Sequence, residues 1–142
     1  MTVEIIETRD IALCRQLRRV VFIDEQGVSE DRELDDQDDA ALHLLALLDG
    51  VAVGSARLLV QGEVGKIGRV CVLDAARGAG IGAALIKVAV ARFRGIEGVT
   101  KAKLGAQLQA LGFYERLGFQ AVGPVYDDAG IAHRDMVLGF DG

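Results

Sequence analysis

Three glycines, Gly78, Gly80 and Gly82, alternate between Arg77 and a largely apolar segment of the chain. Glycine allows the backbone to approach a ligand closely, and the first amide groups of a helix have no hydrogen-bond partners within it. Such amides bind anionic oxygens, and Arg77 adds a cation beside them. The pattern therefore predicts a phosphate-binding turn, with an ordinary tight turn as the structural alternative.

Two common nucleotide motifs fit these glycines poorly. In a dinucleotide-binding Gly-x-Gly-x-x-Gly sequence the third glycine comes one position later, and the turn lies in a parallel β-α-β unit. No Gly-Lys-Ser or Gly-Lys-Thr sequence marks a P-loop. We therefore expect a different kind of anion site.

Two histidines and one acidic segment supply candidate bases. His43 lies in an apolar segment and His133 follows a turn; each is either a site residue or a histidine satisfied by its neighbours. Residues 24–39 contain nine acids and one base, Arg32, which predicts a long loop with at most a short helical turn. Its acids are either functional or solvated. Residues 35–39 lack the glycine and glutamate of a calcium loop, so we expect no metal.

Composition predicts one soluble domain, residues 1–142. Of these residues 51% are hydrophobic, but charges interrupt each apolar run before the roughly 18 residues that span a membrane. The net charge of −5 argues against nucleic-acid binding, which uses basic surfaces. Acids at Glu4 and Glu7 argue against a secretory signal, which predicts a cytoplasmic protein. Cys14 and Cys71 are expected to be buried thiols.

Hydrophobic periodicity predicts the elements that position these residues. The predicted strands span residues 2–7, 42–48, 51–60, 63–73, 99–104, 119–126 and 131–140. The predicted helices span residues 11–21, 80–93 and 107–117. Asp10 is placed to cap the first helix, with Arg15, Arg18 and Arg19 on its polar face. Turn dipeptides favour three consecutive antiparallel strands between residues 42 and 73. The fold class is mixed α/β, with helices packed on the faces of a mixed sheet.

Two motifs make the chain resemble the GNAT N-acetyltransferase superfamily over nearly its whole length. In that family an Arg/Gln-x-x-Gly-x-Gly/Ala turn binds the pyrophosphate of acetyl-CoA, and Arg77, Gly80 and Gly82 match it. The family's Asn-x-x-Ala-x-x-x-Tyr helix, followed by Gly-Phe, is matched by Gln107, Ala110, Tyr114, Gly118 and Phe119. Glutamine replaces the usual asparagine. Residues 21–28, His43 and residues 130–133 further resemble the small ElaA-like and YjcF-like branch.

The resemblance implies a sheet of about seven mostly antiparallel strands that splays between strands 4 and 5. It implies transfer of an acetyl group from acetyl-CoA, the cosubstrate, to an amine of a small molecule or peptide, directly in a ternary complex. Tyr114 would protonate the leaving thiolate, and the amide of Val72 would polarise the carbonyl. The implied cofactor-binding residues are Val70, Cys71, Val72, Arg77, Gly78, Ala79, Gly80, Ile81, Gly82, Gln107 and Tyr114.

The resemblance specifies the residues that bind the acceptor amine less closely than those that bind the cofactor. The resemblance places Phe22, Glu25, Gln26 and His133 at the acceptor, with Glu25 or His43 as catalytic base. Glu33 and Asp36 are further candidate bases. A homodimer is left open. The rival function is a non-catalytic acyl-CoA-binding sensor or interaction module, against which the tyrosine at position 114 argues.

Overall fold

The computed structural model describes residues 2–33, 35 and 37–140, which form one seven-stranded sheet with helices on its faces. The strands are β1 (Val3–Thr8), β2 (Leu42–Leu48), β3 (Val51–Gln61), β4 (Val64–Val72), β5 (Lys101–Gln107), β6 (Gln120–Asp128) and β7 (Ile131–Gly139). The α-helices are α1 (Ile11–Arg18), α2 (Glu30–Glu33), α3 (Ile81–Arg94) and α4 (Leu111–Arg116). No helix in the described part of the chain is long and apolar enough to cross a bilayer.

The strand order is β1-β2-β3-β4-β5-β7-β6, and every neighbouring pair except β4 and β5 is antiparallel. Hairpins connect β2 to β3 and β3 to β4, whereas the connection from β4 to β5 contains α3. Parallel neighbours need such a crossover because the chain must return to the same end of the sheet. The predicted fold class, a mixed and mostly antiparallel sheet, is confirmed.

Strands β4 and β5 pair only at their beginnings. Val64 lies opposite Lys101, Gly65 opposite Ala102 and Lys66 opposite Lys103. Beyond these three pairs β4 continues to Val72 and β5 to Gln107 without pairing to each other. The splay that the resemblance implied is therefore present, and it opens a cleft between the two strands.

A β-bulge at Arg69 changes the side-chain pattern of β4. Cys71 pairs with Ser55 and Gly68 with Arg57, so that Arg69 and Val70 together lie opposite one residue of β3. Arg69 has a φ of 50°, in the left-handed region. The extra residue shifts the alternation by one position. As a result Val70 packs against the core beneath α3, whereas Cys71 packs beneath α1.

The helices cover the two faces of the sheet unequally. The larger core lies beneath α3, where Leu85, Ile86 and Phe93 are buried against the strands. The smaller core lies beneath α1 and consists of Leu17, Val21, Leu45 and Cys71. Because α1 covers only part of its face, the part of that same face formed by β4, β5 and β7 remains available to a ligand.

The first helix differs from its prediction. Asp10 caps it as expected, accepting a hydrogen bond from the Leu13 amide at 3.1 Å. However, α1 ends at Arg18 and the chain continues as a π-helix over Arg19–Glu25. The expectation that Arg18 lies on the polar outer face is wrong, because its side chain is only 1% exposed. The reason is an ion-pair partner that comes from the acidic segment, as described below.

We expect the Gly65→Ala variant to be less stable than the wild type by about 1–3 kcal/mol, because overpacking a tight site displaces its neighbours. A Cβ at Gly65 would lie 2.5 Å from Cδ1 and 2.6 Å from Cδ2 of Phe93. Gly68→Ala on the same strand is the control, since its Cβ would meet no atom within 4 Å. Urea denaturation measures both, and equal effects would contradict this packing argument.

Candidate active site

The cleft between β4 and β5 has a volume of about 420 Å³ and contains several of the residues predicted from sequence. Those that line it are Phe22, Gln26, Glu33, Val70, Gln107, Tyr114 and His133. Phe22 lies in the π-helix and Gln26 follows it, Glu33 ends α2, and the others come from β4, β5, α4 and β7. Residues distant in sequence thus meet in one cavity.

Tyr114 reaches the cleft from α4. Its ring packs edge-on against Phe113 and Phe119, with centroids 5.0 and 6.1 Å away. Burial raises the pKa of its hydroxyl. The phenol therefore stays protonated at neutral pH and is available as a proton donor inside the cleft.

The glycine turn has the geometry that its sequence predicts. Gly78 and Gly80 have φ angles of 90° and 76°, which non-glycine residues rarely adopt. Gly80 caps α3, which begins at Ile81. Within the described structure the amide groups of residues 78–82 donate no hydrogen bond to another backbone group. These groups can therefore bind an anion.

The side chain of Arg77, at the start of this turn, is held by the carboxylate of Glu25. Its Nη1 and Nη2 donate to Oε1 and Oε2 of Glu25 at 2.6 and 2.9 Å, and its Nε donates to the Val72 carbonyl at 3.1 Å. The hydrogen bonds from Arg77 lower the pKa of Glu25. Glu25 is thus an ionised partner of Arg77, and neither residue lines the cleft.

Cys71 contributes no accessible thiol. Its side chain is buried beneath α1, and burial raises its pKa to about 12. A neutral, enclosed thiol is a poor nucleophile. At this position only the backbone of β4 is available to a ligand.

Two further candidate bases, His43 and Glu33, lie away from the cleft or are already paired. His43 is buried on β2, where its Nε2 lies 2.9 Å from the Asp38 carbonyl, and it does not line the cleft. Glu33 lines the cleft, but its carboxylate accepts a hydrogen bond from the buried Arg18. Asp36 lies outside the described residues.

The acidic segment is attached to the sheet by arginines. Arg18 lies between Glu33 and Asp38, whose side chains are 2% and 1% exposed. Arg57 of β3 donates to Asp35 at 2.7 Å and to Asp38 at 3.2 Å. The interpretation of these acids as solvated is therefore wrong for Glu33 and Asp38. Burial favours the paired arrangement because an unpaired buried charge is costly.

Arg69 extends this network to the bulge of β4. Its Nη2 donates to the Glu33 carbonyl and to Asp35, both at 3.3 Å. Arg57 and Arg69 also line the cleft. One wall of the cleft therefore contains arginines that are neutralised by carboxylates of the acidic segment.

The opposite wall contains residues that sequence analysis missed. Tyr126 of β6 donates to Asp135 Oδ1 of β7 at 2.7 Å, and the Tyr126 ring stacks on His133 with centroids 6.0 Å apart. Gly105 of β5 lies beneath the Tyr126 hydroxyl, where a Cβ would overlap it. The sequence did contain one signal for this wall: a glycine inside a strand, such as Gly105, indicates that another group approaches the backbone closely.

Known proteins resemble this chain over most of its length. A family model described as Acetyltransferase (GNAT) domain matches residues 20–140. YjcF of Bacillus subtilis, named an N-acetyltransferase, is 32% identical over 122 residues, which are 85% of this chain and 86% of that protein. ElaA of Escherichia coli is 34% identical over 125 residues, which are 85% of this chain and 82% of that protein.

Solved structures share the fold. The crystal structure of Escherichia coli ElaA superposes with a TM-score of 0.84 and 28% identity, covering 96% of this chain and 99% of that chain. A GNAT family acetyltransferase from Elizabethkingia anophelis with acetyl-CoA bound superposes with a TM-score of 0.76, covering 97% and 98% of the two chains. Its identity is 16%, so this second likeness concerns the fold alone.

We expect Asp38→Asn to lower the free energy of unfolding by about 3–5 kcal/mol at pH 7, because Arg18 loses a buried partner. Burial alone would raise the pKa of Asp38, but hydrogen bonds from Arg18, Arg15 and Arg57 lower it well below its ordinary 3.8. The contribution of ionised Asp38 to the free energy of unfolding is therefore complete above the pKa of Asp38 in the unfolded chain. It is lost as the pH falls from that pKa through the lower pKa of the folded state.

Wild type and Asp38→Asn should accordingly differ less in free energy of unfolding at pH 3 than at pH 7, as measured by chemical denaturation. Asp39→Asn is the control, because Asp39 is exposed, and it should change stability by no more than about 0.5 kcal/mol. A difference for Asp38→Asn that is independent of pH would contradict the ionised pairing.

Proposed function

This chain belongs to the GNAT acetyltransferase family, and we propose that it transfers an acetyl group from acetyl-CoA to an amine of a small molecule or peptide. Membership makes the chain an acyltransferase enzyme. The resemblance of its motifs to this superfamily, and to the ElaA-like and YjcF-like branch, is confirmed. The donor, the acceptor and the roles of single residues are the proposed part.

The observation that carries the proposal is the unpaired edge of β4 beyond Lys66. A strand edge offers backbone N–H and C=O groups, and the amides of a pantetheine arm are suitable partners for them. Val70 and Gln107 line the two sides of this opening. The glycine turn follows β4 directly, which suits a pyrophosphate attached to the same arm.

The catalytic step needs a proton for the departing thiolate. Tyr114 lines the cleft as a protonated phenol, and it supplies that proton as the C–S bond breaks. The amide of Val72 polarises the acetyl carbonyl. Transfer is direct in a ternary complex, because the enclosed neutral thiol of Cys71 is unsuited to carry an acyl group.

The activity test is acetyl-CoA-dependent thiol release with a panel of spermidine, glucosamine, L-lysine and short peptides. Tyr114→Phe should lower kcat by about 10²-fold or more and leave coenzyme A affinity unchanged, because only the donated proton is lost. Phe113→Leu is the control, since it removes the neighbouring ring and keeps the hydroxyl. Unchanged kcat in Tyr114→Phe would remove this residue from the mechanism, and tight coenzyme A binding without turnover would favour the sensor module.

Glu25 should compete with coenzyme A for Arg77. We expect Glu25→Gln to bind coenzyme A about two- to fivefold more tightly in calorimetric titration, since an exposed ion pair competes only weakly with a ligand. Glu30→Gln is the control, because Glu30 forms an exposed ion pair with Arg19 instead. Weaker binding by Glu25→Gln would mean that Glu25 orients Arg77 for the cofactor.

A further inference from the structure

We propose that His133 is the general base that deprotonates the acceptor amine, held in place by Tyr126 and Asp135; this inference rests on the proposed function. A base is required because an ordinary amine is protonated at neutral pH and cannot attack a thioester in that form. The sequence left several candidates for this role. The structure separates them by their hydrogen bonds.

The ring of His133 has one nitrogen committed and one available. Its Nδ1 lies 2.8 Å from the carbonyl oxygen of Ile131. A carbonyl only accepts, so Nδ1 must carry the proton and Nε2 holds the lone pair in the neutral ring. No described residue donates to Nε2. This tautomer, assigned from the hydrogen bond, is the one that a base needs.

Strand register places this nitrogen near the reacting groups. His133 of β7 lies directly opposite Gln107 of β5, at the end of the ladder beside the cleft. Directly opposite residues in antiparallel strands share a face and are about 5 Å apart. The chain turns from Gln107 into the helix that carries Tyr114, and both His133 and Tyr114 line the cleft.

A second layer of contacts fixes the His133 ring. Tyr126 stacks on it at an interplanar angle of 23°, and the Tyr126 hydroxyl donates to Asp135 at 2.7 Å. Asp135 also meets Lys103 at 3.5 Å. Burial and the bond to Asp135 raise the pKa of Tyr126 to about 12, so the hydroxyl remains a donor. Tyr126 and Asp135 are thus positioning residues.

The other candidates are less suitable in the described structure. Glu25 is paired with Arg77, Glu33 is paired with Arg18, and His43 lies outside the cleft. Asp128 is the remaining carboxylate to consider, because it lines the cleft and is exposed. It has no orienting contact comparable to that of His133, and it serves below as the alternative base.

In the proposed step, Nε2 takes a proton from the acceptor ammonium group. The freed lone pair attacks the thioester carbonyl carbon, and the C–S bond then breaks with its electrons on sulfur. Tyr114 protonates that sulfur. The nitrogen loses its second proton as the amide forms, and this proton replaces the one given up by Tyr114. The imidazolium releases its own proton to solvent.

The test uses the panel amine with the highest turnover and added imidazole. His133→Ala should lower kcat by about 10²-fold or more, with little change in KM for acetyl-CoA, because the base acts on the acceptor. Imidazole should restore at least about tenfold of this activity by entering the vacated space. Tyr114→Phe is the matched control: its lost proton donor should not be replaced by imidazole. His133→Gln repeats the kcat measurement without a cavity.

Tyr126→Phe tests the positioning role. It should lower kcat several-fold without rescue by imidazole. Combined with His133→Ala it should cause no further loss of kcat, because both substitutions remove the same function, that of the oriented base. Additive losses would overturn that role. The assignment to His133 is wrong if the wild type is active and His133→Gln keeps the full kcat. It is also wrong if, of these two variants, only Asp128→Asn loses kcat. If the wild type acetylates no amine of the panel, the proposed function itself fails.

Discussion

The separation of β4 from β5 after three residue pairs is the constraint on which the site depends. Buried backbone groups require hydrogen-bond partners, and the unpaired parts of both strands face a cleft instead of each other. A ligand that binds there can complete the interrupted ladder with its own amides. The crossover through α3 also places the glycine turn directly after β4, so the strand edge and the anion-binding amides belong to one continuous segment.

The buried ion pairs make the other wall of this cleft. Arg18, Glu33 and Asp38 are each almost fully enclosed, and each meets a group of opposite charge. Removing one partner would leave a costly buried charge, so the network holds the segment after α1 against β3 and β4. An acidic stretch without hydrophobic periodicity thereby becomes ordered structure. Within the described part of this segment, the charges of Glu33, Asp35 and Asp38 neutralise arginines.

The two halves of the site use different chemistry. The proposed donor half consists of backbone groups, glycines and the enclosed ring of Tyr114, which together suit a long ligand with amides and a pyrophosphate. The proposed acceptor half consists of titratable side chains from β3, β4, β6 and β7 that line the cleft. Such groups are tuned by neighbours, as the contact between Tyr126 and Asp135 illustrates. This division explains why the donor is easier to identify than the acceptor.

Local sequence determined the features set by backbone preferences and short-range contacts. The glycine turn, the cap at Asp10, the hairpins and the start of α3 were predictable, because φ restrictions and capping act within a few residues. Tertiary structure decided the burial of Arg18, the pairing of Glu25 with Arg77 and the stacking of Tyr126 on His133. Each depends on strand register, on the bulge at Arg69 or on contact between distant segments. The hydrophobic periodicity of one sequence does not predict these contacts, because ion pairs and ring contacts form only after the strands have aligned.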